Sequence, residues 1–386
     1  VPKVVTQELG LPVWSSEDYS MAAGWTTALC WSKTLNLNFV TMNATATIAW
    51  SLVWSTYDNL ACYGSGLMMA NTPWCGAYNV SAPVYATAHW TQFIQPGWRL
   101  LTDGAGVLPG GGSYVAAAQF DPDGSVTNWS MVVETTPDVS ACRCKAGTSA
   151  VSAQTVTFEL VPALPAGLHL DMYVTNTTHQ LWPAGPVATD AAGAFTVTFG
   201  SDAIYTITTA ARPPPPPSAP PPPTAPFPLP YAQTFDRLPA GSLAPFFADQ
   251  GGSFAVAQPS GVLRQQVTVP PGNNSWGFRP SNPDPVTLIG DSLLDQYRAE
   301  VAARLPPIAP PDAYVMLCSA ATAFSPWSAW APSAVCLQLN ATGQWALTVF
   351  ANLGTPRLTV REKKKKEEKR RKKERGKRKE DTKKEK

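Results

Sequence analysis

The sequence predicts a mainly β protein with an α/β opening, on three observations. An apolar strand, a helix-like stretch and a second apolar run follow one another within residues 11–54. Short alternating apolar runs bounded by turn residues recur through most of the rest. A block of prolines then divides those runs into two groups. With 386 residues, 44% of them hydrophobic, and 14 tryptophans, the chain can bury two or three cores.

In residues 1–96, Leu11–Trp14 reads as a strand, Ala22–Val40 as a helix and Ala46–Trp54 as a second apolar run, the order of an α/β fold. Residues 97–211 turn to alternation in Ser113–Ala117, Ser130–Glu134, Thr155–Leu160, Ala194–Phe199 and Ile204–Thr208. Asp121-Pro122-Asp123-Gly124 punctuates them, so an antiparallel β-sandwich is expected. Residues 212–230 are proline-rich and read as a polyproline II spacer that cannot pack a core. Between 231 and 360, strands are expected at 254–256, 262–269, 286–289, 297–303, 314–318, 335–339 and 345–350, forming a second all-β unit, sandwich or jelly roll. The last segment, 361–386, has almost nothing to bury and reads as a disordered charged tail.

The formal net charge of +2 conceals an asymmetry. Residues 361–386 hold 17 Lys and Arg against 7 Asp and Glu, leaving only 12 Lys and Arg in the body. No basic stripe is available there to neutralise a phosphate backbone, which argues against nucleic-acid binding. Six Asn-x-Ser/Thr sequons, at Asn43, Asn79, Asn128, Asn176, Asn273 and Asn340, fit a glycosylated secretory protein, lysosomal or secreted. Seven cysteines without paired CxxC units point to two or three disulfides, with at least one thiol left over, rather than to a zinc site. No signal peptide and no 18-residue apolar run is present, so no transmembrane segment is expected. The chain opens mid-stream at Val1-Pro2-Lys3-Val4, the signature of a truncated N-terminus.

The most informative segment is Leu11-Pro12-Val13-Trp14-Ser15-Ser16-Glu17-Asp18-Tyr19-Ser20. An apolar strand ends there in a carboxylate where the chain turns toward a helix, the position of catalytic groups in a (β/α)8 barrel. A second reading stands beside it: Ser15-x-x-Asp18 is a capping-box pattern, with Glu17 an acid of the first helical turn.

Trp-Ser-Ser-Glu-Asp-Tyr-Ser resembles the nucleophile segment of the galactosylceramidases, glycoside hydrolase family 59. The match continues in order through Cys30-Trp31, Thr47-Ile48-Ala49-Trp50, Gly66-Leu67-Met68, Ala88-His89 and Gln95-Pro96-Gly97-Trp98. It extends more weakly through Gly111–Ala116 and into Ile289-Gly290-Asp291. The resemblance implies the last two strands of a TIM barrel, a β-sandwich and a lectin-like β domain. It also implies a retaining β-galactosidase that cleaves galactosylceramide, a galactosylated sphingolipid, with a saposin-like protein presenting the lipid.

By that resemblance Glu17 is the nucleophile. The family's acid/base is a glutamate directly after an asparagine, a pattern matched by none of Glu8, Glu17, Glu134, Glu159 and Glu300. Trp50, Ser20, Tyr63 and, from the lectin-like domain, Trp276 match substrate-binding positions, although Trp50 also reads as core. Arg143, offset by one residue, is the candidate for a sugar-contacting arginine, or else is a surface salt-bridge partner. The resemblance pairs Cys30 with Cys142, Cys144 being the alternative. Asp236 falls near a position associated with calcium, but the last ligand of that site lies beyond the match, so no cofactor or metal is expected. His89, His169 and His179 are scattered and read as structural. The alternatives to the hydrolase are a non-catalytic carbohydrate-binding chain and a related glycosidase of other sugar specificity.

Overall fold

The computed structural model describes residues 8–18, 24–54, 66–137, 151–159, 164–212, 220–267, 285–291, 293–305, 309–310, 313–320, 334–350 and 356–362. These form two compact units that divide between Ala225 and Pro226. The content is mainly β, with two α-helices longer than a turn among the described residues.

The first unit opens with a βαβ element. Strand β1 (Val13–Asp18) lies parallel to β2 (Ala44–Ala49), and helix α1 (Trp25–Met42) connects them. Its C-terminus closes at Asn43, whose left-handed backbone (φ 53°) suits asparagine and whose N–H returns to the Asn38 and Phe39 carbonyls. Three short strands follow, β3 (Val53–Trp54), β4 (Met68–Met69) and β5 (Asn79–Val80), and then α2 (Ala82–Thr91).

A six-stranded antiparallel sheet dominates the unit. Its strands are β6 (Arg99–Val107), β7 (Ser113–Phe120), β8 (Val126–Glu134), β10 (His169–Thr175), β11 (Trp182–Ala188) and β13 (Ile204–Thr208), in the order β11-β10-β13-β8-β7-β6. Strands β9 (Gln154–Phe158) and β12 (Phe195–Phe199) pair separately. Both sheets feed one core. Ala116, Ala118, Trp129, Met131, Val133, Leu170, Tyr205 and Ile207 of the large sheet pack with Phe158, Phe195, Val197 and Phe199 of the small one. Phe158 stacks on Phe195 at 5.2 Å and meets Phe199 edge-on. Each such side chain contributes about 1.5–3 kcal/mol through burial.

The opposite face of the large sheet is also covered, by α1 and α2. Val132 and Ile204 pack with Ala28, Leu29 and Trp31 of α1 and Ala86 of α2. All five residues of β13 are therefore buried, and so are the last six of β8. A strand covered on both faces loses the usual inside-outside alternation of burial.

In the second unit, β14 (Ala248–Gly251) pairs with β17 (Val286–Leu288) and β15 (Phe254–Ala257) with β16 (Val262–Gln265). Strands β18 (Tyr314–Ala320), β19 (Ala334–Asn340), β20 (Trp345–Phe350) and β21 (Pro356–Glu362) form an antiparallel meander. Cys318 and Cys336, directly opposite across β18 and β19, are disulfide-bonded.

Three sequence expectations need correction here. Residues 297–303 form no strand: Tyr297 and Val301 are exposed, and no neighbouring strand satisfies their backbone as a ladder. The proline-rich segment is not wholly a spacer. Arg212 is anchored by hydrogen bonds to Gln92 and to the Leu181 carbonyl, Ala225 accepts from the Trp74 indole at 2.8 Å, and Phe227 is buried against Tyr231 and Phe246. Finally, β21 carries Arg361 and Glu362, so the charged segment begins inside a strand.

Candidate active site

In the parallel β1–β2 pair, both strands end on the same side, and α1 ties those ends together. Asn38, buried in α1, donates from Nδ2 to Asp18 Oδ2 at 2.7 Å and to Thr47 Oγ1 on β2 at 3.0 Å. The Asp18 carbonyl accepts the Trp50 N–H at 2.7 Å, just past the end of β2. Asp18 is thus held through both side chain and backbone. The register of β1 against β2 is irregular between Ser15 and Asp18, and Ser16 and Glu17 are both exposed there.

Trp50 sits at the same end of the pair, partly buried. Its ring meets that of Trp54 edge-on at 5.8 Å, and the Trp50–Ser51 peptide is cis. A free carboxylate and an aromatic surface therefore share the C-terminal edge of two parallel strands. That combination suits attack on an electrophilic carbon beside an apolar face of a ring. Ser15–Asp18 belongs to β1, not to a helix start, which overturns the capping-box reading.

The other glutamates do not join this edge as free groups. Glu134 is fully buried between α1 and the large sheet, accepting from Ser113 Oγ at 2.6 Å and from the Thr136 N–H at 2.8 Å. Burial raises its pKa, against the lowering effect of those hydrogen bonds. Glu300 is ion-paired with Arg298, and Glu8 and Glu159 are exposed elsewhere.

Sequence reasoning gave His89 only a structural role and missed its partners. Its ring is fully buried, with Nδ1 2.8 Å from Thr206 Oγ1 and Nε2 2.7 Å from Thr175 Oγ1. Burial, and secondarily the Arg212 charge, push its pKa down to about 3, so the ring stays neutral in mildly acidic solution. Asn38 had no signal beyond its place in a helix, since its meaning lies in contacts with two different strands.

Of the remaining predicted positions, Ser20, Tyr63, Arg143, Trp276, Cys142, Cys144 and Asn273 lie outside the described residues. Cys30 is disulfide-bonded, Cys75 is a free thiol, and Cys318–Cys336 is a pairing the sequence did not specify. Asn43, Asn79, Asn128, Asn176 and Asn340 all reach solvent at least in part. Asp236 is exposed, with its carboxylate packed close against Gly261. Among the described residues no three His, Cys, Asp or Glu side chains converge as a metal site. No helix among them is long and apolar enough to cross a membrane.

Comparison with known proteins settles the family. The model for glycosyl hydrolase family 59 matches residues 3–92, and that for the family's central domain matches residues 101–212, together just over half the chain. The chain belongs to glycosyl hydrolase family 59. The galactocerebrosidase of Mus musculus is 40% identical over 254 residues, covering 64% of this chain and 36% of that protein. The Homo sapiens galactocerebrosidase is 35% identical over 303 residues, covering 73% and 42%. This family 59 chain therefore spans well under half the length of the curated relatives it matches. Among solved structures, a GH30 endoxylanase from Clostridium papyrosolvens C71 is 19% identical with a TM-score of 0.36, over 54% of this chain and 44% of that one.

Proposed function

We propose that this chain supplies the nucleophile of a retaining β-galactosidase that hydrolyses galactosylceramide to galactose and ceramide. The observation that carries the reading is the exposed Glu17 at the C-terminal end of β1, one residue before the Asp18 whose carbonyl accepts the Trp50 N–H, within the segment matched by the family model. The β1-α1-β2 element is read as part of a (β/α)8 barrel, the two sheets after it as a β-sandwich, and the second unit as a lectin-like domain. In a barrel, that edge is where catalytic groups gather.

Glu17 attacks the anomeric carbon and forms a galactosyl ester as the glycosidic C–O bond breaks. A second carboxylate about 5 Å away protonates the departing ceramide oxygen and then deprotonates the water that cleaves the ester. None of the described glutamates stands free beside Glu17 and the sequence holds no Asn-Glu pair, so this chain is read as carrying the nucleophile and not the acid/base. Trp50 offers its ring to the C–H face of the sugar. A sphingolipid substrate points to lysosomal action with a lipid-presenting protein of saposin type.

The test is a chimaera in which residues 9–212 replace the matching segment of the mouse galactocerebrosidase. Hydrolysis of a β-galactoside should survive the exchange and fall by at least about 10⁴-fold in the Glu17→Ala variant. Azide should restore turnover, with the galactosyl azide of inverted configuration as product. A Glu17→Ala chimaera that keeps its activity would refute the assignment, and galactoside binding without turnover would favour a non-catalytic chain.

A further inference from the structure

One sequon is set apart by its surroundings. Asn128 and Asn340 spend Nδ2 on the side-chain oxygens of Gln119 and Gln344, at 2.8 and 3.2 Å. The serines that complete the Asn79 and Asn128 sequons, Ser81 and Ser130, are buried, with hydroxyls committed to the carbonyls of Leu67 and Phe93. Asn176 lies instead at the turn from β10 to β11. Its Oδ1 accepts from the Thr178 N–H, the Thr178 hydroxyl and the His179 N–H, each at 2.9 Å; the Asn340 Oδ1 accepts in the same way from Thr342 and Gln344, but there Nδ2 is taken as well. Residues 177–180 are exposed, so the pinned carboxamide leaves Nδ2 on the solvent side of the turn.

Beside that turn is an aromatic surface with no evident packing duty. Trp182 is 56% exposed, and its ring lies 5.3 Å from that of His179 at 45°. Trp182 pairs with Val174 across the β10–β11 ladder, and Asn176 follows Val174 by two residues. Past the end of β10 the Asn176 N–H donates to the His179 carbonyl at 2.9 Å, so the turn holds Asn176 next to the residue whose ring meets Trp182.

We propose that Asn176 carries an N-linked glycan whose first N-acetylglucosamine lies across Trp182 and His179. In the attachment step Nδ2 bonds to the anomeric carbon of an oligosaccharide held on a lipid diphosphate. The bond from that carbon to the phosphate oxygen breaks, the diphosphate leaves with the electron pair, and the amide gives up a proton. The inference rests on the reading that the protein matures in the secretory pathway. The fixed Oδ1 sets the direction of the new N–C bond, so little freedom remains to be lost when the sugar settles on the indole face.

The test is site-by-site glycopeptide mapping of the full chain made in a secretory host. Occupancy at Asn176 is expected, with the N-acetyl methyl proton resonance of the first sugar moved upfield by the indole ring current. Asn176→Gln should lower Tm by about 2–4 °C in the parent and by under about 1 °C in a Trp182→Ala background. Trp182→Phe should retain most of the difference.

Occupied sequons elsewhere with Asn176 bare would overturn this proposal alone. No occupied sequon at all would overturn it together with the secretory reading. An unshifted methyl resonance, or an Asn176→Gln effect equal in the two backgrounds, would remove the stacking.

Discussion

Asn38 and Asp18 are 20 residues apart, yet their 2.7 Å hydrogen bond fixes the end of the strand that carries Glu17. The same Asn38 amide group holds Thr47 on the second strand, so one buried side chain of α1 sets the spacing of β1 and β2. The backbone of Trp50 is tied to that clamp through the Asp18 carbonyl, and Glu17 directly precedes Asp18.

Asn38→Ala should therefore cost about 1.5–3 kcal/mol, the range for a hydrogen bond to a charged group. In the chimaera it should lower kcat more than it raises KM, because Glu17 is displaced while the rest of the sugar site remains. Asn38→Asp should be worse than Asn38→Ala, because it sets a second carboxylate against Asp18 in place of the donor. Urea denaturation at pH 7 and pH 4.5, with steady-state kinetics, reads both effects.

The elements legible in the sequence were those whose chemistry matches their local surroundings. Ile204–Thr208 consists of four β-branched residues and one tyrosine and is a central strand; Glu17 ends an apolar run and is a strand-end carboxylate. Strand β11 was missed because Pro183, Gly185 and Pro186 read as a turn, a composition tolerated here because β11 pairs only with β10, at the sheet edge. Strand β6 was missed for a related reason. It also forms an edge, and its four residues Leu101–Gly104 bulge between the Leu100–Ala117 and Ala105–Val115 pairs. The contacts of Asn38 and His89 were not legible at all, since His89 bonds residues 86 and 117 positions away and nothing local marks it.

Gly112 is a second sensitive point. Its φ is +94°, and an added Cβ would lie 2.3 Å from the Glu134 carbonyl oxygen, a backbone atom that cannot swing aside. Backbone strain alone costs about 1–3 kcal/mol, and the collision adds to it. Gly112→Ala should destabilise the first unit by more than Asn38→Ala does, as measured by the urea midpoint.

In the second unit, Cys318–Cys336 closes a segment with a sequence separation of 18. By chain entropy, such a crosslink stabilises by about 3 kcal/mol. Replacing both cysteines by serine should lower the unfolding midpoint of that unit and leave the first unit's transition in place. Calorimetry of the whole chain distinguishes this from general destabilisation.

Two buried groups under the helices give the first unit opposing responses to pH. His89 has its pKa depressed to about 3 by burial, so between pH 6.5 and 3 the unfolded chain takes up a proton that the folded one refuses. Stability is therefore lost as pH falls below 6.5, at about 1.4 kcal/mol per pH unit. Glu134 has its pKa raised by burial, so its protonated form favours the fold and its contribution is lost as pH rises through the folded-state value. His89→Asn should cost stability at pH 7, through weaker bonding to Thr206 and Thr175. That deficit should shrink by about 2–3 kcal/mol at pH 4.5, because the variant no longer bears the proton penalty. Glu134→Gln, which mimics the protonated acid, should gain on the parent toward neutral pH and lose that advantage in acid. Denaturant midpoints of the parent and both variants from pH 4.5 to 7.5 test the pair; parallel curves for His89→Asn and the parent would mean that His89 is charged in the folded state.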